Sequence, residues 1–351
     1  MTDIANDVYT YEKEGGISQS DHWSKQREKA SGWQLKLLLF LFRIFPVIIL
    51  RIIAFPVGFF YFLFSKKARL ESKRFLNRIA RLIKEPTLAK KCVSPLAPLK
   101  HIISFSLTLI EKIQGWGGRF PLKNIQFNND DIKNLIDELN RGNGAFLVFS
   151  HLGNSELLRS LLYSDKTGVS RKVPAATIMD VKVTAHFVKM LKDLNLQSSV
   201  DIISTDDIGP QTAILLEEKL SGGGVVLIAG DRTSAAGDSN ITLPFLGTNA
   251  PFPLGVFYLL SLINYPVYFI FGLRNKCLSL KSLYNMFVHK SDISFNCTRK
   301  ERRQRSNDLA KSFVSLLESY CKKFPFQWFN FFDFWQEENA QGDIQNEKKK
   351  R

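Results

Sequence analysis

Cysteine is scarce in this chain, and the few cysteines are not spaced as metal ligands. Four occur among 351 residues: Cys92, Cys277, Cys297 and Cys321. This wide scatter fits neither a zinc-binding motif nor a dense disulfide framework. We therefore expect a reduced, cytosol-facing domain that uses no metal and no cofactor.

Three other signatures are missing from the sequence. No Gly-x-Ser-x-Gly elbow occurs, so a serine acyl-enzyme is not indicated. The glycines at 222–224 are not followed by Lys-Ser/Thr, which argues against a phosphate loop. Residues 1–30 are polar and partly acidic, without the basic-then-apolar start or the cleavage pattern of a signal peptide.

A long uncharged hydrophobic run is also absent. Residues 33–64 are strongly apolar but contain basic residues and prolines, namely Lys36, Arg43, Pro46, Arg51 and Pro56. The longest uncharged run, Ile52–Phe64, has 13 residues, whereas a spanning helix needs about 20. This favours an interfacial or re-entrant helix, kinked at the prolines, whose basic side chains reach lipid headgroups. A tilted span and a buried helical hairpin are the alternatives.

The chain is strongly basic, with a formal net charge of +15. Such a charge suits nucleic acid, an anionic membrane or an acidic protein. No nucleic-acid-binding motif occurs, so we expect no nucleic-acid partner. The stretch Lys66–Arg81 directly follows the hydrophobic region, and we predict that it forms a helix facing anionic lipid. General solubility is the alternative explanation of the charge.

Predicted strands alternate with predicted helices over the larger part of the chain. The strands are Ala145–Phe149, Ala175–Met179, Val200–Ser204, Val225–Ala229, Val267–Gly272 and Ser279–Val288. The helices are Ala185–Leu194, Pro210–Leu220, Pro253–Ile263 and Asn307–Cys321. This alternation predicts an α/β fold with a mainly parallel sheet and helices on both faces.

The first of these strands runs into a histidine and an acid. His151 follows the strand, and Glu156 comes five positions later. Chemistry collects at the carboxyl ends of strands in open α/β sheets, and a histidine can take a proton from a hydroxyl near neutral pH. Five residues along one helix would separate the two side chains by about 140°. They can therefore meet only if His151 lies in the turn and Glu156 in the first turn of a helix. A histidine satisfied at the strand end beside a solvated Glu156 is the alternative.

The same motif opens a series of blocks that resembles a known family. His151 and Glu156 are similar to the first motif of the glycerolipid acyltransferase superfamily. The further blocks resemble the late acyltransferases of lipid A biosynthesis, in particular a branch associated with aryl polyene-type lipid clusters. The blocks that resemble the late acyltransferases are Ile228–Arg232, Leu243–Gly247 and Ala250–Gly255, and those that resemble the narrower branch are His22–Lys25 and Gln327–Trp335. The resemblance covers roughly residues 20–335.

This resemblance implies an acyltransferase that moves a fatty acyl group from acyl carrier protein to a hydroxyl of a lipid A-like or other glycolipid. His151 would be the general base, and Glu156 would orient and charge-stabilise its ring. The expected place is the bacterial inner membrane, with the catalytic domain on the cytoplasmic face. An acyl-CoA-dependent glycerophospholipid acyltransferase and a non-catalytic lipid-binding protein are the alternatives.

Asn154, Asp231 and Arg232 are the predicted substrate-binding residues. The backbone N–H groups of Gly153 and Asn154, and the side chain of Arg232, are the predicted donors to the tetrahedral oxyanion. Arg232 stands where the family often has a glutamine. It could bind an acceptor phosphate or the phosphopantetheine of the donor, or it could pair with Asp231.

Four segments follow from these arguments. Residues 1–30 form a polar segment, 31–85 a membrane-associated helical region, 86–335 the acyltransferase domain and 336–351 a disordered tail with a basic end. The aromatic segment 327–335 is predicted to fill the core and contact the membrane. Its residues Trp328 and Trp335 would suit a bilayer interface. Lining an acyl-chain tunnel is the alternative for this segment.

Overall fold

A computed structural model describes residues 37, 40–42, 44–116, 120–154, 157, 168–180, 200–205, 208–233 and 240–335. The helices in these ranges are α1 Val47–Phe64, α2 Lys66–Ala80, α3 Pro86–Cys92, α4 Ala97–Trp116, α5 Asp131–Asn140, α6 Pro210–Ser221, α7 Leu254–Ile263 and α8 Arg299–Lys323. The strands are β1 Ile125–Phe127, β2 Ala145–Phe149, β3 Ala175–Met179, β4 Val200–Ser204, β5 Val225–Ala229, β6 Asn240–Phe245, β7 Thr248–Pro253, β8 Val267–Arg274 and β9 Tyr284–Lys290.

Seven of the strands form one mixed sheet in the order β1-β9-β8-β2-β5-β3-β4. All neighbouring strands in it are parallel except β8 and β9, which are antiparallel. Strands β6 and β7 form a separate antiparallel hairpin. The predicted α/β class with a mainly parallel sheet is confirmed, and β2 lies at its centre.

Each face of the sheet packs against a hydrophobic core. Successive side chains of β2 point to opposite faces and so belong to the two cores in turn. Phe146 and Val148 belong to a core shared with residues of α6, α7 and α8. Ala145 and Leu147 belong to a second core shared with residues of α5. Burial on both sides explains why β2 is a continuous apolar run in the sequence.

Strands β2, β3, β4 and β5 have their predicted bounds. The predicted helix Ala185–Leu194 lies outside the described residues. The hairpin β6–β7 was not predicted. It contains prolines, which are rare inside strands, and its sequence resembled a turn followed by a helix. The last predicted strand begins later than expected, at Tyr284.

Helix α1 is a single helix that begins after Pro46 and continues through Pro56 to Phe64. Leu50, Ala54 and Gly58 form its buried face against α4. At Gly58 a Cβ atom would lie within 3.2 Å of α4, so the two helices approach very closely there. The opposite face is exposed and apolar, and Phe64 is 83% exposed. Length and composition alone would permit a membrane crossing, which is weak evidence for one.

Arg51 does not extend away from the protein as the sequence predicted. Its side chain is 12% exposed, and its Nε lies 3.6 Å from Oε1 of Glu111 on α4. Its guanidinium also donates to Oε1 of Gln114 at 2.9 Å. The headgroup role is therefore wrong for Arg51, whereas Lys36 and Arg43 lie outside the described residues.

Helix α2 also uses several of its cations within the protein. Arg69 donates to the carbonyls of Phe62 at 2.7 Å and Leu63 at 3.1 Å, in the last turn of α1, where a cation complements the helix dipole. Arg74 pairs with the buried Glu71 at 2.9 Å. These two arginines bond within the protein, and for the rest of α2 the lipid-facing role stays a prediction.

Candidate active site

The strand register brings His151 and Asp231 to the same edge of the sheet. Strands β2 and β5 are parallel neighbours, and Phe149 is paired with Ala229. His151 and Asp231 each follow two residues after these strand ends. Equal spacing beyond paired positions places the two side chains side by side, although 80 residues separate them in the sequence.

Two hydrogen bonds join these residues. The backbone N–H of His151 donates to Oδ2 of Asp231 at 2.8 Å, and the ring Nδ1 lies 2.8 Å from Oδ1. The carboxylate can only accept, so Nδ1 carries the hydrogen and Nε2 has the free lone pair. Burial would raise the pKa of Asp231, but His151 and Arg232 together hold it below the ordinary value. Asp231 is therefore an anion that fixes the tautomer of His151.

The His151 ring is neutral at physiological pH. Burial and the charge of Arg232 lower its pKa to about 4, although Asp231 acts in the opposite direction. Lys112 of α4 lowers this pKa further. The side chain remains 24% exposed. A neutral imidazole with an available Nε2 is the form that can accept a proton from a hydroxyl.

The backbone donors predicted for the oxyanion are already engaged. The N–H of Gly153 donates to the carbonyl of Gln327 at 2.8 Å, and the N–H of Asn154 donates to the carbonyl of Gly272 at 2.7 Å. Gly153 has a φ of 74°, and a Cβ atom there would collide with the carbonyl of Gly272. The turn is thus packed tightly against β8, and the prediction that these two N–H groups bind the oxyanion is wrong.

Arg232 provides a positive charge beside the histidine. Burial lowers the pKa of its guanidinium to about 10, so the group stays protonated at neutral pH. One nitrogen donates to Oδ1 of Asn330 at 3.3 Å, and the group lies 5.8 Å from the ring centre of Phe332. The remaining predicted oxyanion donor is therefore present as a cation at the site.

The side chain of Asn154 is fully buried behind the turn. Its two amide atoms have no hydrogen bond within 3.5 Å among the described residues. The amide is still close enough to Tyr284 to lower the pKa of that hydroxyl, against the larger effects of burial and Glu111. Its substrate-binding role stays a prediction. Glu156 lies outside the described residues, and its role stays a prediction too.

Trp328 is a site residue that sequence reasoning missed. Its indole N–H donates to Oδ2 of Asp231 at 3.2 Å, and its side chain is 1% exposed. The predicted position of Trp328 at a bilayer interface is therefore wrong. The two residues are 97 positions apart, and no local spacing could have paired them.

Comparison with known proteins adds no family assignment. No protein-family model matches the chain, and no curated protein matches it.

Proposed function

We propose that this protein is a membrane-associated acyltransferase that moves a fatty acyl group from acyl carrier protein to a hydroxyl of a lipid A-like or other glycolipid. The pair of His151 and Asp231 beside Arg232 carries this proposal. It combines a neutral base, a buried anion that orients it and a cation next to the reacting centre.

The proposed reaction is a direct transfer. Nε2 of His151 takes the proton of the acceptor hydroxyl while that oxygen bonds to the thioester carbonyl carbon. Arg232 stabilises the negative charge that develops on the carbonyl oxygen. The carbon–sulfur bond then breaks, and the proton passes from His151 to the departing thiolate. Ser150 is 2% exposed, and its hydroxyl accepts the N–H of Leu152, so this neighbour of the base is poorly placed as a nucleophile.

Asp231 takes the orienting role in this proposal. Its side chain is fully buried, and its hydrogen bonds to His151 and Trp328 support a position behind the base rather than against a substrate. Glu156 remains a candidate for further support of the ring. We assign substrate contact to Arg232. Asn154 is fully buried behind the turn, so its substrate-binding role stays a prediction.

Membrane attachment is the second part of the proposal. Helix α1 is fixed along one face to α4 and exposes large apolar side chains on the other, including Ile52, Phe60 and Phe64. This arrangement suits a helix that lies in the interface, because one side is already occupied by protein. The cytoplasmic face of the bacterial inner membrane is the proposed location.

Acyl transfer by the purified protein tests the proposal. The acceptor is a total bacterial membrane lipid extract, the donors are acyl carrier protein and CoA thioesters, and products are identified by lipid mass spectrometry. We expect transfer from the carrier-protein donor, loss of transfer in His151→Ala and near-normal transfer in His289→Gln. His289 is a matched control because it is also a partly buried histidine with a hydrogen bond. It lies on β9 and bonds to the hydroxyl of Tyr320 on α8.

Three outcomes would contradict this assignment. Near-normal transfer by His151→Ala would show that His151 is not the general base. Preference for the CoA donor, with glycerophospholipid products, would favour that related acyltransferase class. Lipid binding by the wild type without transfer from either donor would favour a non-catalytic lipid-binding protein.

A further inference from the structure

The aromatic C-terminal segment is paired with the turn that carries His151. The N–H of Gly153 donates to the carbonyl of Gln327 at 2.8 Å, and the N–H of Phe329 donates to the carbonyl of His151 at 3.1 Å. Between these two bonds, Leu152 and Trp328 are antiparallel partners. The backbone of the catalytic turn is thus held on one side by β8 and on the other by residues 327–329.

Gln327 fixes the position of this segment along the sheet. Its amide oxygen accepts the N–H of Arg274 at 2.8 Å, and its amide nitrogen donates to the carbonyl of the same residue at 2.8 Å. Both side chains are buried. Because the Gln327 side chain pairs with both backbone groups of Arg274, it fixes the register in which residues 328 and 329 pair with the turn that carries His151.

Trp328 then reaches the carboxylate behind His151. Oδ2 of Asp231 accepts both the indole N–H and the backbone N–H of His151. The indole packs against Phe75, Phe245 and Phe334, with ring centres 4.8–5.2 Å apart. A rigid ring with few rotatable bonds, held by aromatic neighbours, gives a hydrogen-bond donor of fixed direction.

The backbone of Trp328 is fixed from a further direction. Nε2 of His101 lies 3.0 Å from the Trp328 carbonyl, and Nδ1 lies 2.9 Å from the hydroxyl of Ser72. Because a carbonyl only accepts, Nε2 carries the hydrogen and Nδ1 accepts from Ser72. Helices α2 and α4 therefore hold the same tryptophan that holds Asp231.

We propose that Trp328 is a positioning residue for the transfer reaction. Its indole N–H holds the Asp231 carboxylate in the orientation that aligns His151. The same hydrogen bond stabilises the negative charge of Asp231 and so weakens the effect of that charge on His151. This inference rests on the proposed function, and it assigns to Trp328 no contact with a substrate.

Other charged or titratable groups also affect the pKa values of His151 and Asp231, and so the pH dependence of the reaction. Arg232 and Lys112 act on His151, and Cys321 of α8 lies in the field of Asp231. Trp328 is neutral, so its replacement changes a hydrogen bond and no formal charge. Glu156, which lies outside the described residues, is unchanged in the variants below.

The test is steady-state acyl transfer by Trp328→Phe across pH 4–7. Phenylalanine keeps an aromatic ring in the cluster and removes the indole N–H. We expect loss of this hydrogen bond to the charged Asp231 to lower kcat about tenfold, in line with the free energy of such a bond. The KM for the carrier-protein donor should change less than about twofold, because a positioning residue acts on the chemical step. The acid limb of kcat/KM should move to higher pH, since Asp231 then acts more strongly on His151.

Trp335→Phe is the matched control. Its indole belongs to the same cluster, 5.9 Å from that of Trp328, but its N–H faces the carbonyl of Phe245 at 3.4 Å. We expect an unchanged acid limb and near-normal kcat. Gln327→Met is the second variant, and it decides the question if Trp328→Phe does not fold. It keeps the side-chain length, loses both bonds to Arg274, and should lower kcat and move the acid limb in the same direction.

The outcomes separate this inference from the proposed function. A wild-type kcat and acid limb in Trp328→Phe, or in Gln327→Met where the first variant does not fold, overturn the positioning role. The proposed function survives that result if His151→Ala is inactive. Transfer by His151→Ala would instead defeat the proposed function itself.

Discussion

Glu111 and Arg274 form an ion pair of 2.8 Å in which both side chains are fully buried. The same carboxylate lies 3.6 Å from Arg51 and accepts the Tyr284 hydroxyl at 2.5 Å. One anion therefore compensates two guanidinium groups that come from α1 and β8. We predict that Glu111→Gln lowers the free energy of unfolding by about 3–5 kcal/mol, because it leaves both cations buried without a counter-charge.

Denaturant unfolding measures this loss, and Glu138→Gln is the control. Glu138 pairs with Arg141 at 2.9 Å on the surface, where the arginine is 66% exposed. Removing such a pair should change the free energy of unfolding by less than about 1 kcal/mol. Equal losses in the two variants would show that the buried network does not stabilise the fold.

Replacing Asp231 by asparagine should almost abolish transfer. The amide would donate to Nδ1 of His151 and so move the hydrogen to Nε2, which is the wrong tautomer for a base. We expect kcat to fall on the order of 10³-fold or more. Asp201→Asn is the control, since Asp201 pairs with Lys219 at 2.6 Å and its side chain is 55% exposed. A loss of tenfold or less in Asp231→Asn would contradict the orienting role.

The exposed apolar face of α1 should anchor the protein to a lipid bilayer. We predict that the double substitution Phe60→Ser and Phe64→Ser weakens co-flotation with vesicles of anionic phospholipid, because each phenylalanine no longer buries its ring in the acyl region. Ile214→Ser on α6 is the matched control, as Ile214 is 69% exposed on a different helix. If 1 M salt alone releases the wild type quantitatively, attachment is electrostatic and the apolar face is not the anchor.

Acid should destabilise the fold through His101. Burial lowers the pKa of His101 to about 3, below the usual value of 6.5. The unfolded chain therefore binds more protons below about pH 6.5, and the free energy of unfolding falls as the pH falls towards that lower pKa. One such group contributes up to about 1.4 kcal/mol per pH unit.

Unfolding measured at pH 4.5–7 checks this prediction with His101→Gln. Its amide can still donate to the Trp328 carbonyl but does not titrate. The variant should show a shallower loss of stability with acid than the wild type. His151, His289 and Asp231, whose pKa values are also lowered, contribute to the slope that remains. An unchanged slope would show that His101 is not the titrating group.

Apolar runs and turn residues were enough to predict the central part of the fold. Strand β2 is buried on both faces, so its five apolar residues define it without any partner. The edge strand β1 has three residues and one buried position, which leaves no periodicity to detect. The hairpin β6–β7 contains prolines at positions where a sequence pattern predicts turns.

The site could be predicted only where neighbouring residues define it. His151 follows a strong strand, and its place at the strand end was evident from the sequence. Its pairing with Asp231 depends on the β2–β5 register, which a single sequence does not contain. Arg51 was misplaced because its partner Glu111 lies on another helix, and a basic residue in an apolar helix ordinarily suggests a lipid headgroup.

The pairing of Trp328 with Asp231 has a consequence for how the protein is synthesised. A ribosome completes α1 first, the turn with His151 later, Asp231 later still, and Trp328 only near the end of the described chain. A nascent polypeptide can therefore expose its apolar helix to a bilayer long before His151, Asp231 and Trp328 can form their hydrogen bonds. With the proposed function, we expect a truncated translation product that stops before residue 328 to reach the membrane but to transfer acyl groups poorly there.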